Sequence, residues 1–201
     1  MHDRTDPLRW ERRYVEGDLP WETGEPDALL AAALKSHQVA AGRALEIGCG
    51  TGVNAVWLAE RGFDVTGVDL SPTAIGRAVQ RSRDAGVDVC FLATDFLATD
   101  VPGAPFAFAC DRGCFHVFDE DAERARFAQR VAAHLAPGGL WHSVLGSTDG
   151  PPREVGPPRR SAAQIAAAIE PYFEIVELRA TRFGTTDESA PHAWTLVARR
   201  R

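Results

Sequence analysis

From Ala44 onward, short apolar runs that end on small or acidic residues alternate with stretches whose apolar positions recur at helical spacing. That alternation predicts successive βα units and a parallel sheet. Strands are expected at Ala44 to Ile47, Asp64 to Val68, Val87 to Leu92, Phe106 to Cys110 and Gly139 to Leu145. Helices fit between them at Gly52 to Arg61, Pro72 to Ala85 and Asp121 to His134, and Ser71 with Pro72 gives the middle one an N-cap and a first helical position. Beyond Pro151 and Pro152 the pattern changes. One more helix, Ser161 to Ile169, is followed by two apolar runs, Phe173 to Arg179 and Ala193 to Ala198, which read as an antiparallel hairpin closing the sheet. Two segments lack the alternation, Met1 to Pro26 and the Pro/Gly/Arg-rich Gly146 to Arg160, and both are candidates for covering a site.

Length and charge narrow the picture. A chain of 201 residues suits one α/β domain with one site, acting as a monomer or homodimer. The formal charge of −6 provides no basic field for a phosphate backbone, which argues against nucleic acid and for a small-molecule partner. No apolar run is long enough to span a bilayer and the N-terminus is polar, so no membrane association and a cytoplasmic location are expected. Cys49, Cys90, Cys110 and Cys114 then read as reduced thiols.

The strand Ala44 to Ile47 runs straight into Gly48-Cys49-Gly50-Thr51-Gly52 and a helix. Such a glycine turn opens a βαβ unit toward a nucleotide. The spacing is G-x-G-x-G with Glu46 ahead of it, where dinucleotide enzymes have G-x-G-x-x-G and a pyrophosphate to hold. A carboxylate at that point suits a ligand with an ammonium group and a sulfonium and no phosphate. Asp69 ends the second strand at the interval where an acid accepts hydrogen bonds from both ribose hydroxyls, with Leu70 beside it. Asp95 after the third strand is placed for an adenine amino group, with Phe96 or a neighbour against the ring. Asp111, followed by Arg112, ends the fourth strand toward the amino-acid end of the ligand. Taken singly, Asp69 and Asp95 also fit helix caps.

With LEIGCGTG, GVDLS, TDF and DRGCFHVF in this order, the chain resembles class I S-adenosylmethionine-dependent methyltransferases over nearly its whole length. The opening WERRYVEGDLPWETGEPDALL is similar to that of the thiopurine, thiol, halide and tellurite-resistance methyltransferase group. The resemblance implies S-adenosylmethionine as cofactor and S-adenosylhomocysteine as product. It also implies a Rossmann-like seven-stranded sheet of order 3-2-1-4-5-7-6 with helices on both faces and an antiparallel last hairpin. The core would occupy 40–201, and 1–26 would fold over the cofactor, with Trp10, Tyr14 and Trp21 as aromatic cover against a cationic sulfonium. Pro191-His192-Ala193-Trp194 looks like the group's final strand, which nominates His192 and Trp194 for the acceptor pocket.

Methyl transfer is an in-line displacement with a neutral leaving thioether, so alignment and exclusion of water carry most of the catalysis. A thiol, halide or tellurite acceptor needs little help from a base, whereas a phenol or quinol oxygen needs one. His116 is the tentative catalytic residue, with Cys114 and His142 as further acceptor contacts. Arg153, Arg159 and Arg160 are candidates to clamp an anionic acceptor. Cys110, Cys114 and His116 lack zinc-site spacing, so no metal is expected. Two readings of another class stay open: a nicotinamide-dependent oxidoreductase, and a non-catalytic regulator that binds S-adenosylmethionine.

Overall fold

A computed structural model describes residues 6–151, 156–184 and 190–201. The chain forms α1 (Pro7–Glu16), α2 (Ala28–Ser36), β1 (Arg43–Ile47), α3 (Val53–Ala59), β2 (Asp64–Asp69), α4 (Pro72–Ala85), β3 (Cys90–Ala93) and β4 (Phe106–Arg112). A single 3-10 turn (Phe115–Val117), α5 (Asp121–His134), β5 (Leu135–Gly146), α6 (Ala162–Ile169), β6 (Phe173–Arg182) and β7 (His192–Arg200) follow. The strands make one seven-stranded sheet of order β3-β2-β1-β4-β5-β7-β6, as the resemblance implies. β1 pairs parallel with β2 and β4, and β7 pairs antiparallel with β5 and β6.

Each face of the sheet has its own core. Leu45, Ile47, Phe106, Phe127, Trp141, Ile165 and Phe173 pack on one side. Leu30, Leu34, Ala44, Leu58, Val65 and Phe108 pack on the other. Successive strand residues point to opposite faces, so Ala44 and Leu45 separate as they must. Phe106 and Phe108 also separate although they are two apart, because the β4–β5 register shifts between them. No helix among the described residues is long and apolar enough to cross a membrane.

Several expected boundaries move for identifiable reasons. β3 starts at Cys90, not Val87, because Gly86 ends α4 in a left-handed conformation and the Val87 amide still bonds back to the Ser82 carbonyl at 3.0 Å. The front of the chain is more regular than its apolar pattern suggests. α1 starts at an Asp6 cap with Pro7 in its first turn and stops at left-handed Gly17, and Asp27 caps α2. The stretch 146–160 is irregular in its described part, apart from an isolated bridge between Ser147 and Arg160.

Candidate active site

The carboxyl ends of β1, β2 and β4 meet around the glycine turn, the place where open α/β sheets bind ligands. Gly48, Gly50 and Gly52 all have positive φ, +65°, +53° and +79°. The neighbours a side chain there would strike belong to the protein itself. At Gly48 it would run into the Cys114 thiol, at Gly50 it would come within 2.8 Å of the Tyr14 hydroxyl, and at Gly52 within 2.8 Å of Ala78 and 2.9 Å of Phe91. Gly52 therefore serves close packing of α3 on α4 and β3, while Gly48 and Gly50 let a loop and a helix press onto the turn. Cys49 is buried beneath it, and its amide bonds the Val68 carbonyl at 3.0 Å.

Asp69 ties the turn to β2: its carboxylate accepts from the Gly50 and Ser71 amides, each at 2.9 Å. Burial raises its pKa above the usual carboxylate range. Leu70 beside it is half-buried. Glu46 is 3% exposed, and one carboxyl oxygen accepts from Asn54 Nδ2 at 3.0 Å. Its other oxygen, Oε2, has no hydrogen-bond partner, and burial pushes its pKa up to about 8. Asn54 in turn accepts from the Asp27 amide at 2.9 Å, and the Asp27 carboxylate accepts from Arg112 Nε at 2.7 Å. Glu46 and Asp27, both buried, thus form with the half-buried Asn54 and Arg112 one polar chain around a small void of about 10 Å³, near the least volume that holds a single water.

Three expected cofactor contacts are placed differently. Asp111 is 2% exposed and accepts from the Cys114 amide at 3.0 Å, the Phe115 amide at 3.2 Å and Trp141 Nε1 at 2.9 Å. It anchors the turn after β4 and faces inward. Phe96 is also turned inward, its ring edge-on to Phe127 at 5.6 Å and beside His134 at 5.2 Å, so it provides no open face. Asp95 remains exposed at the sheet edge and caps its own turn by accepting from the Leu97 amide at 2.8 Å. Arg112, beyond its ion pair with Asp27, donates to the Trp21 carbonyl at 3.0 Å and so fastens the front segment.

The described part of that segment packs onto the turn. Tyr14 is buried, accepts from Trp21 Nε1 at 3.3 Å, and Trp10 meets Trp21 edge-on at 5.5 Å. The fastenings are polar and were not visible in the sequence pattern. Glu11 accepts from the Ser71 and Thr73 hydroxyls, both at 2.5 Å, and from the Thr73 amide at 3.2 Å at the positive end of α4. Arg77 donates to the Tyr14 carbonyl at 2.8 Å, and Thr51 donates to Glu22 at 2.6 Å.

On the acceptor side, Cys114 donates to the Ile47 carbonyl at 3.3 Å and burial pushes its thiol well above the usual range. His116 is 5% exposed, and its Nδ1 accepts from the Gly146 amide at 2.9 Å. Phe183, which the sequence did not single out, touches both His116 and Arg112: its ring is edge-on to His116 at 6.0 Å and 5.5 Å from the Arg112 guanidinium. The other nominees do not converge there. His142 lies 1% exposed within the sheet, within 3.2 Å of the Thr195 hydroxyl, and burial lowers its pKa to about 4. Trp194 is a core residue that donates to the Arg160 carbonyl at 3.0 Å. Arg160 binds Asp119 at 2.7 Å, Arg159 donates to the Pro151 carbonyl of its own loop at 3.1 Å, and His192 packs against Gly150. Arg153 lies outside the described residues.

A family profile described as "Methyltransferase domain" matches residues 44–139. The chain is 33% identical over 152 residues to a probable thiol methyltransferase of Arabidopsis thaliana, covering 73% of this chain and 66% of that protein, just under two thirds of its length. It is 27% identical to a 2-heptyl-1-hydroxyquinolin-4(1H)-one methyltransferase of Mycobacteroides abscessus, over 81% of this chain and 72% of that one. A solved structure described by the conversion of a disulfide bond into a thioacetal group during echinomycin biosynthesis superposes with a TM-score of 0.76 at 28% identity, covering 90% of this chain and 84% of that chain. Residues 44–139 thus carry a methyltransferase domain, and the chain is similar to S-adenosylmethionine-dependent methyltransferases. The site fits S-adenosylmethionine on its own terms. An ammonium group would give Glu46 Oε2 the partner it lacks and would favour its ionised form. Asp69 at the end of β2 has lone pairs left for hydroxyls, while the aromatic cover already carries cations of the protein itself, Arg13 over Trp21 at 4.4 Å and Arg9 over Trp10 at 5.7 Å.

Proposed function

We propose that the protein methylates a small-molecule acceptor, a thiol or another soft nucleophile such as a halide or tellurite. The observation that carries this reading is that the other titratable groups described on this side are already engaged. Asp111 already accepts three donors, Cys114 is held as a neutral thiol, and His142 is weakly basic and turned into the sheet. Such a site favours acceptors that ionise by themselves near neutrality. The likeness to a probable thiol methyltransferase supports the same acceptor class.

S-adenosylmethionine, when bound, supplies an electrophilic methyl group on a sulfonium and departs as a neutral thioether. The chain's own residues bind and orient. Glu46 and Asp69 hold the polar ends of the ligand, and the front segment with Trp10, Tyr14 and Trp21 closes over the turn and excludes water. Phe183 and His116 form the acceptor wall. A second reading, methylation of an oxygen on a phenol- or quinolone-like ring, draws on the likeness to the hydroxyquinolone methyltransferase and on the aromatic face of Phe183.

A screen of thiols, halides, tellurite and phenols, following S-adenosylhomocysteine release across pH, tests the proposal. Turnover that rises with the thiolate fraction supports it. Turnover confined to phenols transfers the assignment to oxygen, and silence despite tight cofactor binding favours a regulator.

A further inference from the structure

We propose that Asn54 is the residue that positions the Glu46 carboxyl for the ammonium group of the cofactor. Held by the start of α2, its side chain donates to Glu46 Oε1 and leaves Oε2 as the oxygen that carries the acid proton in the free protein and gives it up on binding. The proposal rests on the cofactor reading above and deepens it.

A backbone N–H can only donate. The Asp27 amide points at Asn54 Oδ1 across 2.9 Å, so the oxygen of the Asn54 side chain faces α2 and its NH2 group faces Glu46 Oε1 at 3.0 Å. Turning the side chain over would set two N–H donors against each other at Asp27. Asp27 is not free to move aside. One of its carboxyl oxygens caps α2 by accepting from the Leu29 amide at 2.8 Å, and the other takes Arg112 Nε at 2.7 Å. Leu30 and Leu34 fix the same helix in the core. From Arg112 through Asp27 and Asn54 to Glu46 every link donates in one direction, and the row ends in a donor on Oε1.

Glu46 stands between opposed influences. Burial raises its pKa and the Asp69 and Asp111 carboxylates add to the rise, while the Asn54 side chain and the Ala55 amide favour the ionised form. The other charged or titratable groups around it are committed. Asp27 and Arg112 hold each other, His142 lies within 3.2 Å of the Thr195 hydroxyl, and burial keeps the Cys49, Cys110 and Cys114 thiols neutral. With Oε1 occupied, the proton of the neutral acid sits on Oε2, which has no partner. An ammonium group brings Oε2 both N–H donors and a positive charge. The acid proton then leaves to solvent, the ammonium keeps its own protons, and the carboxylate accepts from Asn54 on one oxygen and from the ligand on the other.

Asn54→Asp is isosteric and separates the two contacts of the side chain. One oxygen can still accept from the Asp27 amide, but the other faces Glu46 Oε1 as an acceptor and favours the protonated acid. Free protein labelled with ¹³C-glutamate is titrated by NMR, with the Glu46 carboxyl signal assigned by its loss in Glu46→Gln. The midpoint should lie at about 8 in the wild type and at least ~1 pH unit higher in Asn54→Asp. A wild-type midpoint in the ordinary carboxylate range, or an unmoved midpoint in Asn54→Asp, overturns the proposal. Neither reading needs a ligand.

Calorimetry with S-adenosylhomocysteine across neutral and mildly alkaline pH adds the binding step. Affinity should rise with pH and level off above the Glu46 midpoint, and at neutral pH Asn54→Asp should bind ~tenfold more weakly. Equal affinities in the two proteins throughout that range would reduce Asn54 to packing. Failure of the wild type to bind at any pH would sink the cofactor reading, while the carboxyl titration would still decide whether Asn54 controls Glu46. Glu46→Gln combined with Asn54→Asp exchanges donor and acceptor between the two positions. That pair should recover the thermal stability that Asn54→Asp loses at alkaline pH, yet bind S-adenosylhomocysteine weakly and without pH dependence. A pair no more stable than Asn54→Asp alone would mean that the two side chains share no bond.

Discussion

The two halves of the site are built in different ways. The cofactor side is assembled from consecutive strand ends, and each of its parts lies within a few residues of a strand in the parallel half of the sheet: Glu46 on β1, the glycine turn after it and Asp69 on β2. The acceptor side is assembled from pieces far apart in sequence, with His116 after β4 held by Gly146 at the end of β5 and faced by Phe183 beyond β6. Backbone geometry fixes the first half, so a substitution there strikes fold and cofactor together. The second half depends on a few side-chain contacts between loops. Its substitutions should alter acceptor choice and leave cofactor binding largely intact.

The largest effect should come where turn and fold coincide. Gly52→Ala places a methyl group at φ +79° against Ala78 and Phe91. A cost of about 2 kcal/mol and a Tm lowered by ~5 °C are expected, together with weaker cofactor binding. A thermal scan that matches the wild type would mean the helix packing does not need the glycine. Next is Asp69→Ala, which removes the acceptor for the Gly50 and Ser71 amides as well as the proposed ribose contacts. Cofactor affinity by calorimetry should fall at least ~tenfold. Phe183→Ala is its counterpart on the other side: KM for the acceptor should rise several-fold, by roughly 1 kcal/mol of lost contact, with cofactor affinity unchanged. Parallel losses in both constants would erase the distinction between the halves.

How far each half was legible follows from the same construction. The glycine turn, Glu46, Asp69, the strand order and the closing hairpin all follow from local spacing or from the motifs that carry the family resemblance. Side-chain direction did not. Asp111 and Phe96 stand at the expected positions on or beside strand ends, yet Asp111 is drawn inward by Trp141, thirty residues along the chain, and Phe96 by Phe127. No local pattern announces such partners. α1 escaped the apolar reading because its outward Leu8 and Val15 are 71% and 64% exposed while the inward face is aromatic and charged. Its Asp6-Pro7 start and Gly17 stop were the signals available. Phe183 and the Gly146 amide have no motif at all.

A smaller effect, but one that separates the halves by pH, concerns Glu46. Its folded pKa of about 8 lies above the ordinary 4.5, so its contribution to stability is fully present below about 4.5 and is lost as pH rises through about 8. The free protein should therefore lose stability between those values, and Glu46→Gln should flatten that slope in a series of melts. Binding an ammonium-bearing cofactor should reverse the preference and expel a proton. Calorimetry at neutral pH in buffers of different ionisation heat should detect up to about one proton released, and none in Glu46→Gln. The acceptor side should release none of its own.

The smallest expected effect tests the strap over the turn. Glu11 binds the start of α4 from near the surface, and the Ser71 and Thr73 hydroxyls hold its carboxyl below the usual range. Its contribution is accordingly present above the ordinary carboxylate pKa and lost as pH falls below it. Because solvent screens the contact, Glu11→Gln should cost no more than ~1 kcal/mol in a melt. Local opening should register the change more sharply than global stability does, since the strap has its own fastenings. Trypsin cleavage after Arg12 or Arg13 should quicken in Glu11→Gln, and added cofactor should slow it in both proteins. Cleavage rates that ignore the cofactor would mean the strap stays closed whether or not the turn is filled, and its aromatic residues would then be packing elements of the fold.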